Sequence, residues 1–477
     1  MMKKILPIFL SCGLVISSTF AATNSRHTFL MPRAHGVNLP MEMSLYHDLI
    51  FNYENKNQSN LQITPFFQAT NSGSDIGEYF GIGNGKNTIK ISDTATGDGL
   101  PPFDEIFNRY LIHKQDDASE LAGTVRLTPK QRSGGLRLDF LQYLKFPFKN
   151  TFFKISAPIV YVENDLNFNV LDSHTDANNN TLLNFFRGDA ITQPNDANKQ
   201  SALTNAKLNT GRQCTFGVAD IDLAYGYKLI EDKNKHLFFN IAATIPTGSR
   251  VRSEYLFKPI YGNGHHFAAG CGIDASIKLW NNKKHCGKLI FALNYRYLFE
   301  GTEKRTIPLK SNSFKWAHYY LAGEIGKTQN LVPAANLLTQ DVSVRPGNQF
   351  DAMLLFAFKS KKFLLDLGYN LFNKETESVS LKNEWIDNKY GLASQDTNVT
   401  NQFDIANSLL TINNSTLDIS RASTPSQLTN KVFAALGYKF SVMKYPSNFG
   451  IGGSYEFASS NHEFENYAIW TKLGISF

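Results

Sequence analysis

The 477-residue chain is poor in cysteine, proline and charge, and each shortage excludes a class of protein. It holds four cysteines. Cys12 falls in the leader-like N-terminus, and Cys214, Cys271 and Cys286 are too few and too scattered for a disulfide framework. With 17 prolines and 33 glycines it is neither collagen-like nor proline-rich. Charged residues make up 19% and the net charge is +7, too mild and too scattered for a nucleic-acid surface. After the N-terminus no stretch approaches the roughly 18 uninterrupted apolar residues of a membrane helix. The mean hydropathy of −0.27 likewise excludes a bundle of such helices. Yet 42% of the residues are hydrophobic, too many for a disordered chain.

Aromatic residues are plentiful, with 37 Phe and 20 Tyr. The N-terminus reads as a targeting segment. Lys3 and Lys4 form a basic start, residues 5–20 are largely apolar, and Thr19–Phe20–Ala21 presents short residues where a signal peptidase reads. We expect residues 1–21 to be a signal peptide cleaved after Ala21. Cys12 lacks the leucine three residues earlier that a lipoprotein signal carries. An exported chain without a spanning helix is secreted, periplasmic or a β-barrel.

Alternation decides among these. In Tyr467–Phe477 the odd positions are Tyr467, Ile469, Thr471, Leu473, Ile475 and Phe477, against Ala468, Trp470, Lys472, Gly474 and Ser476. This is period two over the length of a tilted membrane strand, about 9–11 residues. Similar strands recur in pairs joined by short polar turns: 219–229 with 237–245, 267–279 with 289–299, 350–358 with 363–371, and 432–442 with 449–457. Between the pairs lie long polar stretches, residues 163–212, 247–264, 301–348 and 373–430. Short turns alternating with long loops are the pattern of an outer-membrane barrel, whose short turns face the periplasm. Further candidate strands are 152–162, 134–144, 119–129, 61–70 and 85–92, for a total of about 14; 12 or 16 also fit. The expected fold is an all-β, transmembrane, antiparallel up-and-down β-barrel over residues 61–477. Residues 22–60 would form a periplasmic or plug segment. The stretch 172–209 reads as polar loop, and 373–430 fits a loop or a small extracellular subdomain.

The less apolar face of each strand should line the lumen. It carries Asp220, Asp222, Lys228, Asp274, Lys278, Arg296, Glu300, Asp366, Lys439, Glu456 and Lys472. In a water-filled channel both signs would shape solute passage. Paired with each other they would close the interior instead. The loop with Arg305, Lys310, Trp316 and Arg345 either folds inward as a constriction or covers the outside. No spacing joins His265, His266 and His318 into a catalytic or metal set, since neighbours on a strand point to opposite faces. The segment Gly81–Asn87 lacks the Ser/Thr that follows the lysine of a phosphate loop.

Two stretches carry a resemblance. The terminal strand, ending on Phe477, resembles the C-terminal signal of Gram-negative outer-membrane proteins. Residues 217–225 (GVADIDLAY) and 241–248 (IAATIPTG) look like a hairpin of outer-membrane barrels related to phenol meta-pathway and fatty-acid transport channels. There a G-D-I-x-L strand pairs with one ending in P-T-G. Here Val218 and Ala219 intervene, and no Asn-Pro-Ala hatch motif stands near the mature N-terminus. The resemblance implies an outer-membrane location in a Gram-negative-type bacterium. It also implies contact with lipid and lipopolysaccharide, and delivery to the barrel-assembly machinery through the strand ending at Phe477. The function expected is passive passage of small solutes, with no cofactor, metal, catalysis or nucleic acid. The alternatives are a structural or surface-recognition barrel with a closed lumen and, more remotely, an outer-membrane hydrolase.

The alternation makes a direct prediction. Leu473→Arg places a charge on the lipid face. It should reduce assembled, heat-modifiable barrel by an amount reflecting about 2–4 kcal/mol at the bilayer midplane or about 0–1 near an interface. If Lys472→Leu damages assembly more than this substitution, the face assignment is wrong.

Overall fold

The computed structural model describes residues 25–477 except 51–58, 72, 84, 93–104, 108–110, 112–122, 145–148, 174–179, 190–200, 283, 312, 328–330 and 394–407. The expected leader, residues 1–21, lies outside the described residues.

Twelve strands close into a ring in chain order. They are β1 Ser59–Thr70, β2 Lys130–Leu144, β3 Thr151–Asp165, β4 Ile221–Glu231, β5 Lys235–Ile245 and β6 Ala268–Asn281. The second half is β7 His285–Leu298, β8 Gly347–Ser360, β9 Phe363–Lys374, β10 Gln427–Val442, β11 Tyr445–Ala458 and β12 Asn466–Ser476. Each pairs antiparallel with the next, and β12 closes on β1 from Asn60 opposite Ser476 to Thr70 opposite Asn466. Closure satisfies the backbone without leaving an edge, which is what lets strands sit in an apolar medium. The short connections, 232–234, 282–284, 361–362 and 443–444, all fall at one end, and the long ones at the other.

The ring therefore holds 12 strands, not the expected 14. Two expected members, 85–92 and 119–129, instead yield Thr88–Ser92 and Gly123–Arg126 in a separate four-stranded sheet. At five and four residues they are too short to cross a bilayer, which takes about 9–11. One further strand, Arg212–Val218, belongs to the barrel sheet but lies outside the ring. It continues the line of β4 beyond Ala219–Asp220 and pairs with the upper half of β3.

Parity holds around the ring. Tyr225, Leu229, Ile241, Ile273, Ile277, Leu367, Leu436, Ile451, Ile469 and Leu473 are exposed on the outer face. Such a continuous apolar belt is foreign to a soluble monomer. Lys472 faces inward and is buried, next to outward Leu473.

The inner face is packed. Phe66, Val160, Ile290, Met353, Leu355, Phe433 and Trp470 form one cluster with Leu39, Met41 and Met43, which belong to the N-terminal segment. Those three lie on a buried helical turn, α1 Leu39–Met43. Its first turn is capped by the Asn38 side chain, which accepts from the Met41 N–H, and Pro40 fits the first turn because no partner is needed for a nitrogen there. Gly437 and Gly450 leave room on the wall for Leu45; a methyl group at Gly450 would collide with that side chain. Residues 25–31 of the segment lie among the long connections, and from Arg33 to Leu49 it runs inside the barrel towards the end with the short turns.

The long connections are not loose loops. Residues from 76 to 464 contribute to one apolar cluster at that end, including Tyr79, Phe80, Phe186, Trp316, Tyr319, Leu338 and Leu392. Three small sheets of four, three and four strands surround it. The stretch 172–209, expected as a polar loop, buries Leu182, Phe185, Phe186, Leu203 and Leu208 here. Its few apolar residues are clustered enough to make a helix, Asn180–Arg187, with one buried face.

Candidate functional site

The site is the barrel interior and the segment seated in it. Three knots of charge hold that segment to the wall. Near the long connections, Arg305 is fully buried and donates to Glu303 at 2.7 Å, to Glu377 at 2.7 Å and to the Ala422 carbonyl at 2.7 Å. Lys374 adds a second cation at 3.0 Å from Glu377, and His266 meets Glu303 at 2.8 Å. The guanidinium lies 3.7 Å from the centre of the Phe29 ring, a cation–π contact with the segment. Burial alone would raise the Glu377 carboxyl, but Arg305 and Lys374 outweigh it and hold it well below the usual carboxylate range.

In the middle, Arg33 of the segment reaches Glu456 at 2.8 Å, Asp351 at 3.0 Å and Asn370 at 3.2 Å, and lies over the Phe372 ring. Lys431 completes the charge balance at 3.3 Å from Glu456. Lower down, Glu42 accepts from Arg137 at 2.8 Å and pairs with Lys154, while Arg137 also holds Asp139 and the Gly36 carbonyl. Lys472 donates to the carbonyls of Glu42 and Ser44, both at 2.7 Å, and Asp366 accepts the Leu45 N–H at 2.7 Å. Buried charges must be paired or they cost several kcal/mol each, and here the pairing crosses between wall and segment.

Three of the residues read from the sequence, Asp366, Glu456 and Lys472, thus grip the segment directly. Asp222 and Arg296 pair with each other at 2.7 Å across the wall. Lys228 pairs with Glu231 and lies over the Tyr143 ring. Lys278 and Lys439 are half-buried, and Glu300 is exposed beyond the end of β7, accepting from Ser343. Asp220 sits at the break between Arg212–Val218 and β4. Its carboxylate accepts the N–H groups of Gly248 at 3.1 Å and Asn263 at 2.7 Å, clasping the connection that follows the P-T-G turn. In the loop 301–348, Arg305 and Trp316 are buried while Lys310 and Arg345 are exposed. The reading from sequence missed Arg33, Glu42, Arg137, Asp139, Lys154, Asp351 and Lys431. Asp351 lies within the expected strand 350–358 and Lys431 one residue before 432–442, both on the inward parity, so alternation contained the signal for each.

Beside the segment some space remains. A cavity of about 80 Å³ lies against the inner faces of β2 to β7, where Ala224, Asn240, Ala242, Ala292 and Asn294 keep the wall low. A second of about 10 Å³ adjoins Gly36, Asn38 and Gln349, and both share Leu39, Glu42, Asn294 and Arg296.

The structure also brings together Ser276, His236 and Asp274, with the ring 2.6 Å from the hydroxyl and 2.9 Å from the carboxylate. Backbone groups on both strands pair in the β5–β6 ladder, with Ser276 opposite His236 and Asp274 opposite Phe238. The trio forms a polar contact across these two strands. His318 is buried against Tyr319, and burial pushes its pKa down to about 3. Among the described residues no group of three His, Cys, Asp or Glu side chains could hold a metal ion.

No protein-family model matches the sequence, and no curated protein matches it. Solved structures do. An outer-membrane channel from Pseudomonas putida F1 aligns over 89% of this chain and 96% of its own, at 9% identity and a TM-score of 0.40. The CymD monoaromatic hydrocarbon channel covers 93% of each chain at 9% identity and a TM-score of 0.29. A FadL homologue from Pseudomonas aeruginosa covers 94% of this chain and 99% of its own at 7% identity and a TM-score of 0.31. These neighbours are outer-membrane β-barrel proteins. The class that strand pairing and site define here is a closed antiparallel β-barrel with an occupied interior.

Two outcomes test the anchoring. Arg305→Met leaves Glu303 and Glu377 buried with too little positive charge, and should destabilise the capping structure by about 3–5 kcal/mol. Hydrogen exchange of residues 301–306 and 377–381 reads it. The second concerns acid. His27 stacks on Tyr79 at 4.3 Å and lies 3.2 Å from the Ser423 carbonyl. Burial lowers its pKa from 6.5 to about 4. Because the folded-state value is depressed, its contribution is full above pH 6.5 and is lost as pH falls towards 4. Exchange at residues 25–31 should quicken across that window, and His27→Phe, which keeps the ring stack, should remove the dependence.

Proposed function

We propose that the protein is an integral outer-membrane barrel whose lumen passes small solutes and is stoppered by its own N-terminal segment. The long connections then face the exterior and the short turns the periplasm. One observation carries the reading: what fills the interior is a separate piece of chain joined to the wall through side-chain knots, not through the strand ladder. Unseating it would leave the ring intact and expose a lumen lined by Asp351, Asp366, Lys431, Glu456 and Lys472. The apolar outer belt supports the membrane location. Selectivity would come from those inward charges once their partners on the segment are withdrawn.

A second reading, a closed barrel that displays a folded surface for recognition, draws on the shared apolar core of the long connections. Planar-bilayer recording separates the two. The wild-type barrel with the segment seated should be nearly silent to ions. Arg33→Ala combined with Glu42→Gln removes two anchors, each worth about 3–5 kcal/mol in a buried pair, and should give frequent discrete openings. A folded double variant that stays as silent as wild type would favour the display reading.

A further inference from the structure

The wall of the larger cavity carries two amides that the protein itself does not use. Asn240 on β5 and Asn294 on β7 both line the cavity. Neither side chain forms a hydrogen bond with another described residue. They stand in one row across three strands, Asn240 opposite Gly272 of β6 and Gly272 opposite Asn294. The glycine lets them converge. A Cβ at Gly272 would stand 2.5 Å from the Asn294 Oδ1 and 2.7 Å from the Asn240 Nδ2, closer than a side chain allows. On its other side Asn240 faces Gly226 of β4, so no side chain covers it from either neighbouring strand. Both asparagines are half-buried, with surface left towards the cavity. Polar side chains inside a protein usually find a partner, as those of the three charge knots do. Two amides meeting over a glycine without one are free to hold a molecule in the space they border.

The rest of the lining defines the class of that molecule. Three charge pairs border the cavity: Asp222 with Arg296 at 2.7 Å, Asp274 with His236 at 2.9 Å, and Glu42 with Lys154. Each carboxylate already has its cation, so an entering ion finds no unbalanced charge to offset its own desolvation. An amide both donates and accepts, and Arg296 commits only its Nη2, to Asp222, among the described residues. These groups match a neutral solute that carries a donor and an acceptor. Leu39 and Met43 of the segment, with Phe238 of the wall, offer the apolar surface for its other end. A few placed polar groups in an otherwise apolar concavity are the usual make-up of a small-molecule site. At about 30 Å³ per water, the volume of about 80 Å³ corresponds to two or three waters, or one solute of about four heavy atoms.

We propose that this cavity binds one small neutral solute bearing amide or hydroxyl groups, held by Asn240 and Asn294 over Gly272, and that these residues set which solutes the lumen accepts. The proposal deepens the channel reading and rests on it. The test is an equilibrium titration of the full-length protein, refolded in micelles and labelled with nitrogen-15 at asparagine, followed through its side-chain amide resonances. Asn240→Leu and Asn294→Leu assign the two pairs of signals. The probes are acetamide, acetate and ethylammonium, alike in size and different in charge. Acetamide should shift both pairs saturably, while the two ions should not. Loss of either amide should weaken acetamide binding about tenfold, the worth of one hydrogen bond. Gly272→Ala keeps both asparagines but forces them apart and should abolish saturation; heat-modifiability on a gel reports that the barrel has folded. If it has not, the two leucine variants carry the test. No saturable shift, equal shifts from all three probes, or folded variants that titrate like wild type overturn the site. Binding is read here without current, so the channel reading is still judged separately, by openings from the Arg33 and Glu42 double variant.

Discussion

The structure depends on the neutralisation of charge inside the ring. A twelve-stranded barrel encloses more space than its own inward side chains can fill, unlike one of about eight strands. The inner wall carries Asp139, Asp351, Asp366, Glu456, Arg137, Lys154, Lys431 and Lys472, and most of these are out of contact with water. Left unpaired, such a set would not tolerate burial. The N-terminal segment supplies Arg33, Glu42 and a run of backbone carbonyls and amides that complete the pairing. Its apolar residues Leu39, Met41 and Met43 complete the packing. Wall and segment are therefore one interior, and neither is electrically complete without the other.

The same logic extends into the cap. Phe29 under Arg305, Thr28 bonded to the Thr306 carbonyl at 2.5 Å and His27 stacked on Tyr79 tie the upper end of the segment to two different connections. The cap core includes a group of aromatic rings that meet edge to face, as Phe186 does with Trp316 and Tyr319. Such pairs add to the area they bury and fix orientation. The segment is thus held by the cap and by the lumen wall together.

Much of this was legible in the sequence because period two is a strong local signal. Alternation placed Asp366, Glu456 and Lys472 on the inner face, and the short and long connections in order. It also contained a warning that the interior is not an open aqueous bore. Phe238, Phe433 and Trp470 fall on the inward parity, where a water-filled lumen would expose them. The strand count erred at 85–92 and 119–129, since a few alternating residues look alike in a barrel and in a small sheet. Length decides between these, and length shows only when the chain is paired. Arg137, Asp139 and Lys154 escaped because the first third of the chain alternates weakly, with Gly134, Gly135 and Pro158 inside its strands. Arg33 and Glu42 had no local signal at all. Their role is set by partners more than 90 residues away.

The chemistry of the filling bears on what the barrel can do. An interior meant only for stability would favour apolar side chains, because a buried ion pair is often no better than a hydrophobic replacement of equal volume. Ion pairs offer something different: each has a definite partner and direction, so they fix the register of Arg33 and Glu42 against the wall. They also leave behind a surface that water will wet if the segment departs, whereas a greasy socket would collapse or aggregate. The low wall of Ala224, Ala242 and Ala292 points the same way, since a closed structural core would have grown larger side chains into that space. A polar fit beside an incompletely filled wall is what the proposed stoppered passage requires.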